Sequence, residues 1–219
     1  MVGSATMSGL AVSTAVPRRR LTAAHRRRQL IDVAIETFAT TGYNATTMEE
    51  IATTAGVTKP LLYQHFTSKR ALYLELIDDV AARLIRALAD AAGAQTSPRR
   101  QVEAGCQAYF QFAIENPSAV RMLFDAPEDE ELARGLRTIE DAIADFVAPL
   151  IEADIKADHR RTLAAAVVGM TEGVTRDWLR HSYRRGDSET EDHGEMADLL
   201  ARRVAEFAWG GLRGLSRSG

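Results

Sequence analysis

The chain contains one cysteine, Cys106, among its 219 residues. A single thiol excludes an internal disulfide and a cysteine-rich zinc site. Cys106 lies in an alanine-rich stretch with no cation beside it, so we expect a small buried side chain rather than a redox sensor. The sequence also has no apolar run of roughly 18 residues, the length of a membrane-spanning helix, and we therefore expect no membrane partner.

Motifs typical of enzymes are missing as well. The sequence has no glycine-rich phosphate loop and no G-x-S-x-G nucleophile elbow. The histidines are scattered, and His159, His181 and His193 do not show the i, i+4 pairing of a helical zinc motif, even with Glu191 and Asp192 nearby. We therefore expect no catalytic residue, no metal site and no cofactor. A small-molecule hydrolase with an incidental helical hairpin is the enzyme alternative.

The charge is divided unevenly along the chain. The net charge is −3. Residues 1–70 carry nine Lys and Arg against four Asp and Glu, a balance of +5, and residues 71–219 carry 18 against 26, a balance of −8. A basic N-terminal part joined to an acidic remainder is typical of a nucleic-acid reader attached to another unit. The first 17 residues do not resemble a secretory signal, so a cytoplasmic protein is expected.

The segment from Thr46 to Phe66 has the pattern of a helix-turn-helix. Thr47 followed by Glu50 is a capping box, which predicts a helix start. Gly56 fits the left-handed residue that ends this helix, and Thr58 is expected to cap a second helix with Pro60 in its first turn. The apolar residues that would pack the two helices face to face are Ile51, Ala52, Ala55, Val57 and Leu62. A plain helical hairpin with Tyr63 and Phe66 in its core is the alternative.

The second helix of such a motif enters the major groove of DNA. Thr58, Lys59 and Pro60 at its start are expected to meet base edges. Tyr63, Gln64 and His65 lie one turn further on and are expected to donate hydrogen bonds to phosphates. Thr47 completes this set, and Lys69, in the first turn of the next helix, is expected to hold a phosphate together with nearby amides.

The segment from Thr46 to Lys69 resembles the DNA-binding segment of the TetR family of transcriptional repressors. The matching residues are Thr46-Thr47, Ile51-Ala52, Ala55-Gly56-Val57-Thr58, Leu62-Tyr63, His65-Phe66 and Lys69. The resemblance implies a homodimeric repressor that a ligand releases from DNA. Leu61 departs from the family pattern, in which Ser or Thr often reaches a phosphate at this position, and Leu61 is expected to touch a thymine methyl instead.

Two arginine triplets precede the motif. Arg18 to Arg20 would lie along phosphates or reach into the minor groove, or would only solubilise a tail. Arg26 to Arg28 begin a predicted helix, where positive charge opposes the helix dipole. A nearby phosphate would explain their position, and three solvated arginines are the alternative.

Apolar residues recur at helical spacing and predict an all-α protein. A helix from Arg26 to Thr41 would complete a three-helix DNA-binding unit, and Ser68 would cap a long helix that ends at Ala92. Further helices are predicted at 99–115, 117–125, 128–156, 159–183 and 195–213. We expect a disordered basic arm at 1–24, a helix-turn-helix DNA-binding domain at 25–70, called the head, and a larger helical ligand-binding and dimerisation domain at 71–219, called the body.

Two patterns in the body predict interactions. Ala165, Gly169 and Gly173 form a small-residue face, and the last predicted helix is unusually apolar, which suggests a four-helix interface between two chains; an intramolecular core is the alternative. Large side chains on several helices would line an apolar ligand cavity, and Asp177 beside them would favour a cationic or hydrogen-bonding ligand; ordinary core is the alternative for each. The candidate ligand-binding residues are Tyr109, Phe110, Met122, Phe124, Phe146, Met170, Val174, Asp177 and Trp178.

The sequence therefore predicts a dimeric transcriptional repressor that binds a double-stranded DNA operator. A small apolar or amphipathic effector would lower its DNA affinity by favouring a conformation in which the helix after Ser68 swings. A DNA-binding dimer without an effector is the alternative from the same observations.

Overall fold

The computed structural model describes residues 22–124, 129–151, 155–185 and 193–215. Within these ranges the chain forms nine α-helices and one 3-10 helix and contains no strand, so the predicted all-α class is confirmed. The α-helices are α1 (Ala23–Thr41), α2 (Met48–Thr54), α3 (Lys59–His65), α4 (Lys69–Gly93), α5 (Pro98–Glu115), α6 (Pro117–Phe124), α7 (Glu130–Val147), α8 (Ala157–Arg185) and α9 (His193–Leu215). No helix among the described residues is long and apolar enough to cross a membrane.

The first three helices pack around one small core. Leu30 of α1, Ile51 of α2 and Leu62 of α3 are completely buried. Gly56 has a φ of 65°, a left-handed conformation that turns the chain sharply between α2 and α3. The helix-turn-helix predicted from Thr47, Gly56 and Pro60 is therefore present.

Helix α4 belongs to the head and to the body at once. Its predicted apolar face is buried along its whole length: Leu72, Leu76, Val80, Leu84 and Leu88. The Ser68 hydroxyl caps the helix by accepting from the amide of Ala71. In the body, α5 packs against α4 and α9, and α7 packs against α8 and α4. Helix α4 thus begins next to α3, the second helix of the motif, and its other end forms one side of the body core.

Two predicted helix boundaries were wrong. Helix α1 begins at Ala23 because the Thr22 hydroxyl caps it by accepting from His25, so the last residues of the predicted arm at 1–24 are ordered. The rest of that arm, with Arg18 to Arg20, lies outside the described residues. The helix predicted at 128–156 is shorter, since α7 ends at Val147 and Pro149 lies in a 3-10 turn at Ala148–Leu150. A proline has no amide hydrogen for an α-helical bond, so the sequence already held the signal for this break.

Candidate functional site

Helix α3 turns one face into the head and leaves the other face open to solvent. Leu62 is fully buried, and Phe66, just after the helix, is 3% exposed. The exposed face carries Lys59, Pro60, Tyr63 and Gln64. Tyr63 is 43% exposed, which contradicts the hairpin alternative that placed it in the core. Leu61 and His65 are half-buried, one turn apart, at the edge of this face. The outer face of α3 is therefore free to enter a DNA groove.

The cap residues beside α3 do not behave alike. The Thr47 hydroxyl caps α2 by accepting from the amide of Glu50 at 3.1 Å, whereas the Glu50 carboxylate accepts from the Thr41 hydroxyl at 3.4 Å. Thr58 precedes α3 in an extended conformation, but its side chain makes no capping hydrogen bond, which corrects the expected side-chain cap. Its exposed hydroxyl is not committed to the helix terminus and can be directed to DNA.

Lys59 makes one weak contact within the head. Its ammonium lies 3.4 Å from the Glu49 carboxylate, and both side chains are at least half exposed. Exposed ion pairs of this kind contribute little to stability and exchange readily with other partners. The lysine can therefore leave Glu49 for DNA at small cost.

Lys69 does not have the geometry of a phosphate ligand, contrary to the prediction. Its ammonium donates to the carbonyl oxygens of Tyr43 at 2.8 Å, Asn44 at 3.3 Å and Thr46 at 2.9 Å. It also lies 4.5 Å from the centre of the Tyr43 ring. An ammonium has three hydrogens, and all three are used here. Lys69 therefore fixes the loop between α1 and α2 to the start of α4.

The three arginines at the start of α1 also contact other side chains of the protein. Arg27 makes a two-point ion pair with the Glu75 carboxylate of α4 and lies 4.8 Å from the centre of the Phe66 ring. Arg28 lies 3.2 Å from Asp79 of α4. Arg26 donates to the Gln29 side chain at 3.0 Å. The triplet Arg26 to Arg28, which was predicted to lie near a phosphate, is thus engaged within the chain, mostly with α4.

Among the described residues of the body, two narrow cavities open between α4, α5, α7 and α8, and α6 adds to the wall of one of them. One, which we call the acidic cavity, offers about 30 Å³ and is lined by Leu84, Tyr109, Phe112, Phe124 and Ile143, with the carboxylates of Glu140 and Glu172 at its edge. The other, the apolar cavity, offers about 50 Å³ and is lined by Leu88, Val102, Cys106, Tyr109, Ile143 and Phe146, among others. Each holds only a few water molecules. A larger ligand would have to push their walls apart.

Three of the predicted ligand residues line these cavities: Tyr109, Phe124 and Phe146. The other six do not. Phe110 and Met122 are 1% exposed core residues. Met170, Val174 and Trp178 are half-buried residues packed against the core. Asp177 is exposed, and its carboxylate lies 3.4 Å from Nδ1 of His181. Helical spacing showed which residues share a face of α8, but not which neighbours that face meets.

The acidic cavity has a polar edge that sequence reasoning missed. Burial raises the pKa of the Glu172 carboxyl to about 7, the negative charge of Glu140 acts in the same direction, and Arg176 opposes both. Arg176 in turn lies 4.8 Å from the centre of the Phe124 ring. The sequence contained a signal for this group, because the charged Glu172 interrupts a face of α8 that otherwise carries apolar and hydroxyl side chains.

Burial shapes the chemistry of the apolar cavity as well. It raises the pKa of the Cys106 thiol to about 11, so this side chain is an inert thiol rather than a reactive thiolate. Burial also raises the pKa of the Tyr109 hydroxyl, and the negative charge of Glu172 acts in the same direction. No group of three or more metal-ligating side chains occurs in the part of the chain that is described.

The small-residue face of α8 is open to solvent. Ala165, Gly169 and Gly173 are all exposed, and nothing lies within 4 Å of a Cβ added at either glycine. On α9, Phe207 is 73% exposed, whereas Val204 is buried and Trp209 half-buried. The alternative of an intramolecular core therefore fails for the α8 stripe and for Phe207.

Comparison with known proteins agrees with this architecture. The family model for bacterial regulatory proteins of the TetR family matches residues 30–76, which span α2, α3 and the helices around them. The chain is 33% identical over 197 residues to the HTH-type transcriptional activator FasR of Mycolicibacterium smegmatis, covering 88% of this chain and 85% of FasR.

Solved structures extend the similarity to the body. A TetR-like transcriptional regulator from Rhodococcus sp. RHA1 superposes with a TM-score of 0.72 at 28% identity, covering 89% of this chain and 100% of that one. The regulator FadR from Bacillus subtilis, solved in complex with stearoyl-CoA, shares the fold with a TM-score of 0.68 at 14% identity, covering 81% and 97%. The chain belongs to the TetR family and is a DNA-binding transcriptional regulator, not an enzyme.

Proposed function

We propose that the protein is a homodimeric repressor that leaves its operator when a fatty acyl ligand enters the body. The observation that carries this proposal is the position of α4. Its first turn directly follows the recognition helix α3, and Leu84 and Leu88 near its other end line the two cavities. A ligand that widens the cavities acts on the helix that holds the DNA-reading surface.

The DNA contacts are proposed for the exposed face of the head. Thr58, Lys59 and Pro60 at the start of α3 meet base edges, and Leu61 touches a thymine methyl. The phosphate contacts come from Thr47, Tyr63, Gln64 and His65. Lys69 is left out because its three hydrogens are bonded to carbonyls. With two such heads, the dimer reads two half-sites on one side of the duplex.

The dimer is proposed to form through α8 and α9. The exposed stripe of Ala165, Gly169 and Gly173 lets a second helix approach closely, and Phe207 supplies apolar area beside it. Two helices from each chain then make a four-helix interface with twofold symmetry. We expect the protein to act in the cytoplasm, where a bacterial regulator meets its operator DNA.

The effector class rests on the lining of the cavities. The apolar cavity is walled by aliphatic and aromatic side chains and suits a hydrocarbon chain. The stearoyl-CoA complex of FadR, which has the same fold, supports an acyl thioester as the first ligand to test. Because both cavities are narrow without a ligand, binding requires a more open body, and that preference is what couples the ligand to DNA affinity.

Activation is the second candidate, favoured by the similarity to the activator FasR. Both candidates need the same DNA contacts and differ only in what DNA occupancy does to transcription. Deleting the gene and measuring a reporter joined to its target promoter separates them. Transcription rises on deletion for a repressor and falls for an activator.

The proposal is tested by fluorescence anisotropy with the protein's own promoter region, with and without palmitoyl-CoA. We expect selective binding that weakens with salt and is lost on adding the ligand. Lys59→Ala should weaken binding, whereas Lys156→Ala, a matched change at an exposed lysine of the body, should not. Selective binding that no acyl-CoA weakens would instead identify a dimer without this effector.

A further inference from the structure

The two cavities lie end to end along the bundle. On α5, the apolar cavity touches Val102 and Cys106, and the acidic cavity touches Phe112 and Ala113, further along the chain. On α7 the order is reversed, since Leu136 and Ile139 line the acidic cavity and Phe146 and Val147 line the apolar one. Antiparallel helices give this reversed order only when the cavities follow one another along the common axis.

The other two helices show the same order. Along α4, Leu84 lines the acidic cavity, and Leu88, one turn later, lines the apolar cavity. Along α8, Val167 and Val168 line the apolar cavity, and Glu172 lines the acidic one. Four helices therefore agree on a single axis, with the acidic cavity at one end and the apolar cavity at the other.

Two side chains, Tyr109 and Ile143, belong to both cavities. They come from α5 and α7, each of which lines both cavities. Tyr109 is 7% exposed, so its ring is a buried part of both linings. This pair of side chains therefore marks the place along the axis where the two cavities meet.

We propose that Tyr109 and Ile143 form a constriction in one lumen and determine which acyl chain lengths the protein accepts. The inference rests on the proposed acyl effector. Short chains fill the acidic cavity alone, and long chains pass the constriction by displacing the Tyr109 ring and reach the apolar cavity. The polar end of the ligand stays on the side of the acidic cavity, because the apolar cavity is lined almost wholly by apolar side chains.

The helix geometry sets the lengths. From Leu136 to Ile143 an α-helix rises about 10 Å, and from Leu136 to Val147 about 16 Å. An extended chain advances about 1.2 Å per bond, as a polypeptide does over three bonds per residue. The constriction is therefore reached after about eight carbons, and the lumen is filled after about thirteen.

Replacing Gly105 offers a way to fill only the apolar cavity. Gly105 lines the apolar cavity one helical turn before Tyr109, and nothing lies within 4 Å of a Cβ added there. Gly105→Leu should fill that cavity with little change in the backbone, because leucine favours a helix more than glycine does. Gly105→Ala is its matched control. Tyr109→Ala does the opposite and removes the constriction.

The experiment is isothermal titration of the full-length protein and these three variants with hexanoyl-, decanoyl-, palmitoyl- and stearoyl-CoA. A methylene that finds apolar room strengthens binding about fourfold. For the unmodified protein we expect affinity to rise from hexanoyl- to palmitoyl-CoA, but less between hexanoyl- and decanoyl-CoA than the added methylenes predict, and to be similar for palmitoyl- and stearoyl-CoA because the lumen is already filled. Tyr109→Ala should remove this shortfall. Gly105→Leu should lower the affinity for palmitoyl-CoA at least about tenfold and leave the affinity for hexanoyl-CoA unchanged.

Two outcomes would overturn the inference, and they are distinct. If acyl-CoAs bind but neither variant changes the dependence of affinity on chain length relative to Gly105→Ala, then Tyr109 and Ile143 do not determine the accepted chain length. The proposed effector would still stand. If no acyl-CoA binds the unmodified protein, the effector proposal fails, and the inference falls with it. Thermal unfolding of each variant identifies one that has not folded, and the other substitution then decides.

Discussion

Replacing Lys69 by methionine tests whether this lysine holds the head together or holds DNA. Methionine keeps the length and apolar character of the side chain and removes all three donors. The native ammonium bonds two carbonyls in part-buried positions, those of Tyr43 and Thr46, and a more exposed third, that of Asn44. Hydrogen bonds to a charged group contribute about 1.5 to 3 kcal/mol each, and a cation over an exposed ring about 0.5 to 1 kcal/mol. Because water replaces part of these contacts, we expect Lys69→Met to lower the free energy of unfolding by about 2 to 4 kcal/mol.

Urea unfolding followed by circular dichroism measures this loss, with Lys156→Met as the control. Lys156 is exposed, so its replacement should change the free energy of unfolding by less than about 0.5 kcal/mol. The same two proteins are then titrated with operator DNA at several salt concentrations. Loss of one phosphate contact from each head would reduce the slope of log K against log salt by about 1.8. We expect that slope to stay unchanged for folded Lys69→Met.

The reverse result would refute this reasoning. A Lys69→Met protein as stable as the parent, with a salt slope reduced by about 1.8, would mean that the lysine leaves its carbonyls to bind phosphate. The sequence-based assignment would then be right, and the bonds to Tyr43, Asn44 and Thr46 would describe only the DNA-free protein.

Three further predictions concern the turn, the cavity and the exposed face. Gly56→Ala should lower the melting temperature, since a φ of 65° costs a residue with a Cβ about 1 to 2 kcal/mol, whereas Gly93→Ala in α4 should raise it slightly. Because the folded pKa of Glu172 is raised from 4.5 to about 7, the folded state binds this proton more tightly, and stability should fall as pH rises through that interval. Glu172→Gln should reduce this fall in thermal denaturation scans, and an unchanged pH profile would contradict the burial of the carboxyl. Phe207→Asp should shift the protein towards monomer in analytical ultracentrifugation, and an unchanged mass would exclude Phe207 from the interface.

Local signals in the sequence predicted the head well, because its turns and caps depend on residues three or four positions apart. Thr47 and Ser68 cap their helices as expected, and Gly56 has the expected left-handed conformation. The carbonyl partners of Lys69 were not predicted, because they lie 23 to 26 positions earlier in the chain. No spacing rule connects a side chain with the carbonyls of a distant loop.

The cavity was harder to predict for the same reason. Residues such as Phe110 and Tyr109 are adjacent in the sequence and both are buried, yet only Tyr109 lines the two cavities. Which of them faces the cavity depends on how α5 is rotated against α4, α7 and α9. That rotation is set by packing across the whole body, and composition and periodicity do not encode it locally.

The ion pairs between α1 and α4 affect how this protein can be recombined with its relatives. A chimera joined after Ser68 would keep Arg27 and Arg28 but take α4 from another regulator, and the two arginines would then face whatever stands in place of Glu75 and Asp79. A junction after Val80 transfers both acids with the arginines and leaves the join inside a continuous helix. The transplantable DNA-reading module is therefore about three helical turns longer than the sequence boundary at residue 70 would suggest.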